Sequence, residues 1–252
     1  MRKSTVFLLT LSIAAAVSGA LLVSKMIEYE RNNEVNISTI EVVDRYRDVS
    51  RATVEHSEDI PEKEEWERPF FSPEIAELKK ENPDTVGHLY ISDAIDLPVL
   101  ASRGGRYLST DYFGNRSSYG CIFTENESED KAAVLQGHNM KNGAMFGFLE
   151  RYKDEEYWKM HRTVCYTTEA SYREYEVCGY LTMPAEDPIR KRLSMKSRED
   201  ASAILARMKK SGKVYEQFDE SDNLLILATC EYTNTNGRLL VICRQRVNQS
   251  VR

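Results

Sequence analysis

Two apolar runs near the C-terminus constrain the fold of this chain more than any other feature. Leu224–Ala228 is wholly aliphatic, and Leu239–Ile242 follows after a polar segment that ends in the turn-forming residues 234–237. Apolar runs bounded by turn residues are typical of buried β-strands joined as a hairpin. Cys230 ends the first run and Arg238 begins the second, so pairing in a hairpin would bring them within ~5 Å of each other.

Further short strand-like runs precede this hairpin. They are Val86–Ile91, Leu97–Leu100, Gly120–Thr124, Ala132–Leu135, Thr163–Thr168 and Tyr172–Leu181. Eight or so short strands with few helices indicate a mainly β fold, which is either a closed barrel or a sandwich.

Helices are predicted before the strands and between them. Helical spacing predicts a helix over residues 37–56, and the charged segment 62–67 continues as a second short helix. Ser72-Pro73-Glu74 predicts a helix that has proline at its first position. Residues 143–153 form another helix, and a last one runs from an N-cap at Ser197 to Gly212.

The N-terminus carries an uncharged apolar stretch at residues 5–23. At helical rise this stretch spans ~28 Å, about one bilayer core. Arg2 and Lys3 precede it, so the positive-inside rule puts the N-terminus in the cytoplasm and the rest outside. A cleaved signal peptide is the alternative, because residues 14–16 and 18–20 within this stretch are small. The predicted organisation is a cytoplasmic tip and membrane anchor over 1–30, a helical stalk over 31–69 and one domain over 70–252.

The net charge of −6 argues against a nucleic-acid partner, which would favour a basic excess. The basic stretches 190–192 and 209–210 have acidic neighbours and are interpreted as solvated surface.

Five cysteines are present and none forms a C-x-x-C pair, so a structural zinc or thioredoxin-type site is not expected. Four of them lie inside strand-like patterns and are interpreted as small buried residues: Cys121, Cys165, Cys178 and Cys243. Disulfides among these four remain open, because an extracellular compartment permits them. The odd count predicts at least one free thiol.

The chemistry is predicted at strand ends. The run around Cys230 turns polar at Thr229, so the strand is expected to leave the core there and expose Cys230 at its rim. His138 follows the apolar run Val134–Leu135 in the same way. A cysteine, a histidine and Arg238 would supply a nucleophile, a proton-transfer group and an oxyanion donor. The other histidines are interpreted as structural: His56, His88 and His161.

Several ordered motifs resemble one family, the sortases, and within it class B. The motifs are residues 82–87 with 95–99, Ser118–Phe123, Gly137-His138-Asn139-Met140, Thr229-Cys230 and Gly237-Arg238. The helix over 197–212 resembles the helical insertion of class B. The resemblance covers roughly residues 70–247. It departs from the family pattern at Cys121, where a smaller residue is usual, and at Ile226, where threonine is frequent.

The resemblance implies a closed eight-stranded sortase-type β-barrel with N-terminal helices and a helical insertion before the cysteine strand. It also implies a membrane-anchored, extracellular thiol transpeptidase that cleaves the C-terminal sorting signal of secreted proteins after a threonine. Cys230 would hold the acyl group, which passes to an amine of the cell-wall peptide or of a pilin. His138 would be the general acid and then base, and Arg238 the oxyanion donor.

Asn115, Thr229 and Glu231 would line the peptide groove, and neither a metal nor a cofactor is expected. The sequence leaves open whether the acceptor is an amine or water, as in a membrane-tethered cysteine peptidase or amidase. It also leaves open a non-catalytic barrel that binds a surface ligand.

Overall fold

The computed structural model describes residues 3–55, 73–125, 132–193, 197–231 and 236–246. The chain divides after Ser38 into two compact units. Helix α1 spans Lys3–Glu55 and covers residues 37–55 of the helix predicted over 37–56. Within it, Leu11–Arg47 contains a stretch that is long and apolar enough to cross a membrane. The predicted short helix at 62–67 lies outside the described residues.

The second unit is built on nine strands. They are β1 (Thr85–Ile91), β2 (Ile95–Ala101), β3 (Ile122–Thr124), β4 (Ala132–Gln136), β5 (Thr163–Thr168), β6 (Tyr172–Pro184), β7 (Gly212–Val214), β8 (Leu224–Glu231) and β9 (Gly237–Gln245).

Eight of these strands close into a barrel in the order β5-β1-β2-β3-β4-β8-β9-β6, because β6 pairs back with β5. The closed eight-stranded barrel is therefore confirmed. The pairs β2–β3 and β4–β8 are parallel, and the other pairs around the barrel are antiparallel.

Strand β6 is long enough to serve two neighbours along one edge. Residues 172–176 pair with β5, and residues 179–181 pair with the short strand β7. At the start of the second segment, Gly179 has φ 147°, and a Cβ there would lie 2.2 Å from Lys213 O. Only glycine allows β7 to approach this closely, so the ninth strand depends on that residue.

Strand β8 separates two apolar clusters. Leu225 and Leu227 belong to the interior core of the barrel, whereas Leu224 and Ile226 pack outward. The outer cluster includes Ile204 and Met208 of helix α4 (Arg198–Ser211). Because side chains alternate along a strand, every second residue of β8 faces each cluster.

Helix α4 confirms the predicted insertion before the cysteine strand. The side chain of Ser197 accepts a hydrogen bond from Asp200 N at 3.3 Å, as expected of an N-cap.

Two other predicted helices differ from the structure. Helix α2 spans Ile75–Glu81, so Pro73 lies before the helix instead of at its first position. Residues 143–153 do not form one helix, because Gly143 and Met145 have positive φ angles of 86° and 52°. A 3₁₀ helix follows over Gly147–Lys153, and then α3 over Glu155–Met160.

The end of α1 contributes to the second unit through a buried ion-pair cluster. Arg47 donates two hydrogen bonds to Asp96, at 2.9 and 2.8 Å, and His88 Nε2 lies 2.7 Å from the same carboxylate. Burial lowers the pKa of His88 although Asp96 opposes this, since Arg47 already neutralises that carboxylate. His88 is therefore a buried packing residue, in agreement with its structural interpretation.

Candidate active site

The hairpin of β8 and β9 brings Cys230 and Arg238 together. The two residues are direct cross-strand partners. Side chains of paired residues lie on one face with Cβ atoms about 5 Å apart. Ala228 and Leu240, which precede and follow them on the same face, belong to the outer apolar cluster. The predicted cross-strand pair is thus present, and it faces outward from the barrel.

Strand β4 brings His138 to the same place from the other side of β8. The parallel ladder pairs Gln136 with Ala228, and Gly137 N then donates to Ala228 O at 3.2 Å. His138 is the next residue. Because side chains alternate along an extended chain, His138 shares the outer face with Gln136, and therefore with Cys230. A Cβ at Gly137 would lie 2.6 Å from Ile122 Cδ1, so this glycine is required by packing inside the barrel.

The imidazole of His138 is held by a neighbouring loop. Its Nε2 lies 2.7 Å from Leu108 O. A carbonyl oxygen only accepts hydrogen bonds, so Nε2 carries a proton in this arrangement and Nδ1 is the nitrogen left for proton transfer.

The loop that carries Leu108 is itself anchored in the core. The buried Tyr107 donates its hydroxyl to Asp84 Oδ2 at 2.6 Å, and Cys121 N donates to Tyr107 O at 2.9 Å. Burial together with the Asp84 hydrogen bond raises the pKa of Tyr107, so the hydroxyl stays protonated and keeps its donor role. The position of the imidazole therefore depends on a core tyrosine.

The guanidinium of Arg238 is partly engaged by its own turn. One nitrogen donates to Gly237 O at 2.9 Å and to Asn236 Oδ1 at 3.4 Å. Arginine has five N–H donors in a planar fork. These contacts fix the plane of the guanidinium while other donors remain for a ligand.

The three side chains line one cavity of about 480 Å³. Its remaining lining residues are mostly apolar, with a few polar side chains: Leu108, Glu125, Val134, Gln136, Gly137, Met183, Arg190, Leu193, Ala228, Thr229 and Leu240. Sequence reasoning missed most of this wall. Gln136 and Leu240 could have been found, because each lies two residues along the extended chain from a predicted catalytic residue and so shares its face.

Of the three predicted groove residues, one lines the cavity and two do not. Thr229 lines the cavity, although it is buried and its hydroxyl donates to Gly137 O at 2.7 Å. Glu231 is only 2% exposed and lies outside the cavity lining, within 3.2 Å of Lys153 Nζ. Asn115 is exposed in a turn closed by Asp111, also away from the lining residues.

The expectation that the strand leaves the core at Thr229 is wrong. Strand β8 continues to Glu231, and both Thr229 and Glu231 are buried. Their polar side chains are hydrogen-bonded inside the barrel end, which is why polarity alone gave a misleading strand end. Cys230 is accessible because of its outward face.

The other four cysteines differ from Cys230 in burial. All five are free thiols, and only Cys230 is partly exposed. Burial raises the pKa of Cys121, Cys165 and Cys243, and raises the pKa of Cys178 to about 12. Such thiols stay protonated and are poor nucleophiles.

Among the described residues, no group of three or more His, Cys, Asp or Glu side chains is arranged to hold a metal ion.

Comparisons with known proteins identify the family of this chain. The sortase domain model matches residues 92–246. Sortase B of Listeria monocytogenes is 39% identical over 110 residues, which is 41% of this chain and 44% of that protein. Sortase B of Staphylococcus aureus is 25% identical over 183 residues, covering 68% of this chain and 74% of its own length.

The fold comparison extends further along the chain. The crystal structure of sortase B from B. anthracis superposes with a TM-score of 0.64 at 24% identity, over 87% of this chain and 98% of that one. The chain belongs to the sortase family, and within that family to class B.

Selective alkylation tests the assignment of the reactive thiol. Limited iodoacetamide at neutral pH is expected to add one carboxamidomethyl group, at Cys230, because the other thiols are buried and protonated. Since their pKa values are raised, the selectivity should persist up to about pH 9, past the ordinary thiol value of ~8.5. Peptide mapping by mass spectrometry gives the site, and the unfolded protein, with five adducts, is the control. A native-state adduct at Cys178 or Cys243 would contradict the assignment.

Proposed function

We propose that this protein is a cysteine transpeptidase that cleaves a sorting peptide and transfers its acyl part to an amine. One observation carries the proposal. Cys230 and Arg238 are cross-strand partners on the outer face of the barrel, with His138 at the end of the adjoining strand, and all three line one cavity. The family membership of the chain supports the same chemistry.

The first half-reaction forms a thioester. The Cys230 thiolate attacks the carbonyl carbon of the scissile peptide bond, and the carbonyl oxygen becomes negatively charged. The Arg238 guanidinium stabilises that charge with N–H donors that its turn does not use. The His138 imidazolium gives its Nδ1 proton to the departing amine, and the C–N bond breaks.

The second half-reaction regenerates the thiol. A primary amine attacks the thioester carbonyl, and His138 Nδ1 accepts the proton that this amine loses. The tetrahedral intermediate again places its oxyanion on Arg238 and expels the Cys230 thiolate. The product is a new amide, and no oxidant, reductant or cofactor is consumed.

The cavity provides chemistry for an extended peptide. Its floor is apolar through Val134, Met183 and Leu240, and Gln136 adds an amide that can both donate and accept. We propose the C-terminal sorting signal of secreted proteins as donor. The acceptor is an amine of the peptidoglycan precursor or of a pilin lysine.

Product analysis tests the reaction. The full-length protein in detergent is incubated with a peptide library, with triglycine as an unhindered primary amine, and the products are identified by mass spectrometry. The expected result is cleavage of one peptide class and an amide between its acyl part and triglycine. Cys230→Ala should abolish both, while Cys165→Ala should retain them because that thiol lies in the strand pair β5–β6.

Other products would support the alternatives. Cleavage without any amide product at saturating amine would make the protein a cysteine peptidase or amidase. Tight peptide binding without cleavage would make it a ligand-binding barrel.

The role of Arg238 has its own test. Lysine keeps the charge but replaces the planar fork with a flexible ammonium. Loss of one preorganised oxyanion donor costs about 10²–10³ in rate, so Arg238→Lys should lower kcat/KM by about that factor. Arg244→Lys is the matched control, since Arg244 lies on the same strand and pairs with Glu176. Near wild-type activity of Arg238→Lys would mean that only the positive charge at position 238 matters and that the planar guanidinium is not needed.

We propose that residues 5–23 anchor the protein in a membrane with the catalytic unit on the cell surface. The apolar side chains within this segment support it, since Leu21 and Leu22 are 63% and 67% exposed. Protease added to intact cells without a wall should digest the catalytic unit and leave an N-terminal tag intact. Protection of the catalytic unit would mean that it lies on the cytoplasmic side of the membrane. Release of the chain from membranes by alkaline carbonate would mean that residues 5–23 do not anchor it.

A further inference from the structure

The backbone ladder between β4 and β8 ends just before the reactive residues. Its last backbone hydrogen bond runs from Gly137 N to Ala228 O. His138 and Cys230 both lie beyond it. The relative position of imidazole and thiol must therefore be set by other contacts.

Two side chains continue the ladder. Thr229 Oγ1 donates to Gly137 O at 2.7 Å, and Asn139 Nδ2 donates to Cys230 O at 2.7 Å. Asn139 directly follows His138, so its amide ties the histidine segment to the main chain of the nucleophile. The segment is also fixed on its other side, where Phe146 N donates to His138 O at 2.9 Å.

Asn139 is itself held by a partly buried charge network. It is 5% exposed, and its Nδ2 also donates to Glu150 Oε1 at 3.1 Å. Lys153 Nζ lies 2.7 Å from Glu150 and 3.2 Å from Glu231. Glu150 and Lys153 share one 3₁₀ helix, in which residues three apart are eclipsed. The network thus runs from the residue after the histidine to the residue after the cysteine.

Lys153 remains charged at the centre of this network. Burial acts to lower its pKa, but the hydrogen bonds that Lys153 donates to the carboxylates of Glu150 and Glu231 outweigh burial and raise it. A charged lysine between two carboxylates needs no external ion, and it fixes the Glu150 carboxylate toward Asn139.

We propose that Asn139 is a positioning residue that sets the distance between the His138 imidazole and the Cys230 thiol. The proposal rests on the proposed function for its catalytic consequence. Both N–H groups of the amide are used, one toward Cys230 O and one toward Glu150, so its orientation is fixed. Removal of the amide frees the end of β8 from the histidine segment and leaves Cys230 O without this donor.

The first experiment measures kcat, KM and the pH profile of Cys230 alkylation for full-length Asn139→Ala in detergent. A misplacement of a reacting group by about 1 Å can lower the rate about 10²-fold. We therefore expect kcat, divided by the fraction of protein whose Cys230 can be alkylated, to fall about 10- to 100-fold. KM should change less than about 3-fold, because Asn139 does not line the cavity. The alkylation profile should differ from that of the wild type, since the reactivity of the thiol depends on where the imidazole lies relative to it.

The matched control is Asn142→Ala in the same segment. Asn142 Nδ2 donates to Tyr119 OH at 2.8 Å, so the variant also loses an asparagine hydrogen bond. It leaves Cys230 O and Glu150 untouched, and kcat should remain within about 2-fold of the wild type, as for surface substitutions generally.

A double variant separates positioning from stability. Asn139→Asp places a carboxylate against Glu150 and cannot donate to Cys230 O. In Asn139→Asp/Glu150→Gln the glutamine can donate to the aspartate, so the melting temperature should recover. The kcat should stay low, because Cys230 O still lacks its donor.

Three results would overturn the proposal. One is an Asn139→Ala variant with the kcat and alkylation profile of the wild type. Another is a double variant whose kcat recovers together with its melting temperature. The third is an equal loss of kcat in Asn142→Ala. If the wild-type protein shows no turnover, the proposed function is refuted instead. The positioning role is then decided by comparing the Cys230 alkylation profiles of the wild type and Asn139→Ala.

Discussion

Strand β8 is hydrogen-bonded along both edges, and the position of every reactive group depends on that double pairing. Its register with β9 sets Arg238 opposite Cys230, and its register with β4 brings His138 beside them. A slip of one residue in either pairing would turn a reactive side chain into the barrel interior. The geometry of the candidate site is therefore a property of the sheet.

The apolar pattern of β8 cannot fix this register by itself. Residues 224–227 are each at most 1% exposed, so both faces of the strand are apolar and a slipped strand would look similar. The polar end of the strand makes the distinction. Thr229 meets Gly137 O, and Glu231 meets Lys153, only in this register. A buried polar group without its partner costs free energy, so these contacts select the observed pairing.

Two apolar clusters on opposite faces of the sheet explain why a site can form on a barrel without an open lumen. The interior is filled by large side chains such as Tyr152, Tyr175 and Phe146. The outer cluster joins helix α4 and the short 3₁₀ helix at Pro188–Arg192 to side chains of β8 and β9. Within this region, Arg190 and Leu193 line the cavity. The segment that carries Arg190 and Leu193 thus helps to enclose the outward-facing Cys230.

Much of the fold was predictable, because it rests on local patterns. Apolar runs bounded by turn residues gave all eight barrel strands, and the spacing of Ala201, Ile204 and Met208 gave α4. The 3₁₀ helix at Gly147–Lys153 was not predictable, since it depends on left-handed backbone at Met145 and on contacts made elsewhere. Strand β7 was missed because three residues carry too little pattern, and its place depends on Gly179 of another strand.

The sequence by itself pointed to the candidate reactive residues. A cysteine, a histidine and an arginine at the ends of apolar runs were recognisable as Cys230, His138 and Arg238. Tertiary structure alone decided their surroundings. In the folded chain, Glu231 is buried at the end of the barrel beside Lys153, and Asn115 lies outside the cavity. The side chain of Asn139 contacts the main chain of Cys230. The physical reason is that strand alternation is local, whereas a contact between residues 91 positions apart exists only after the barrel closes.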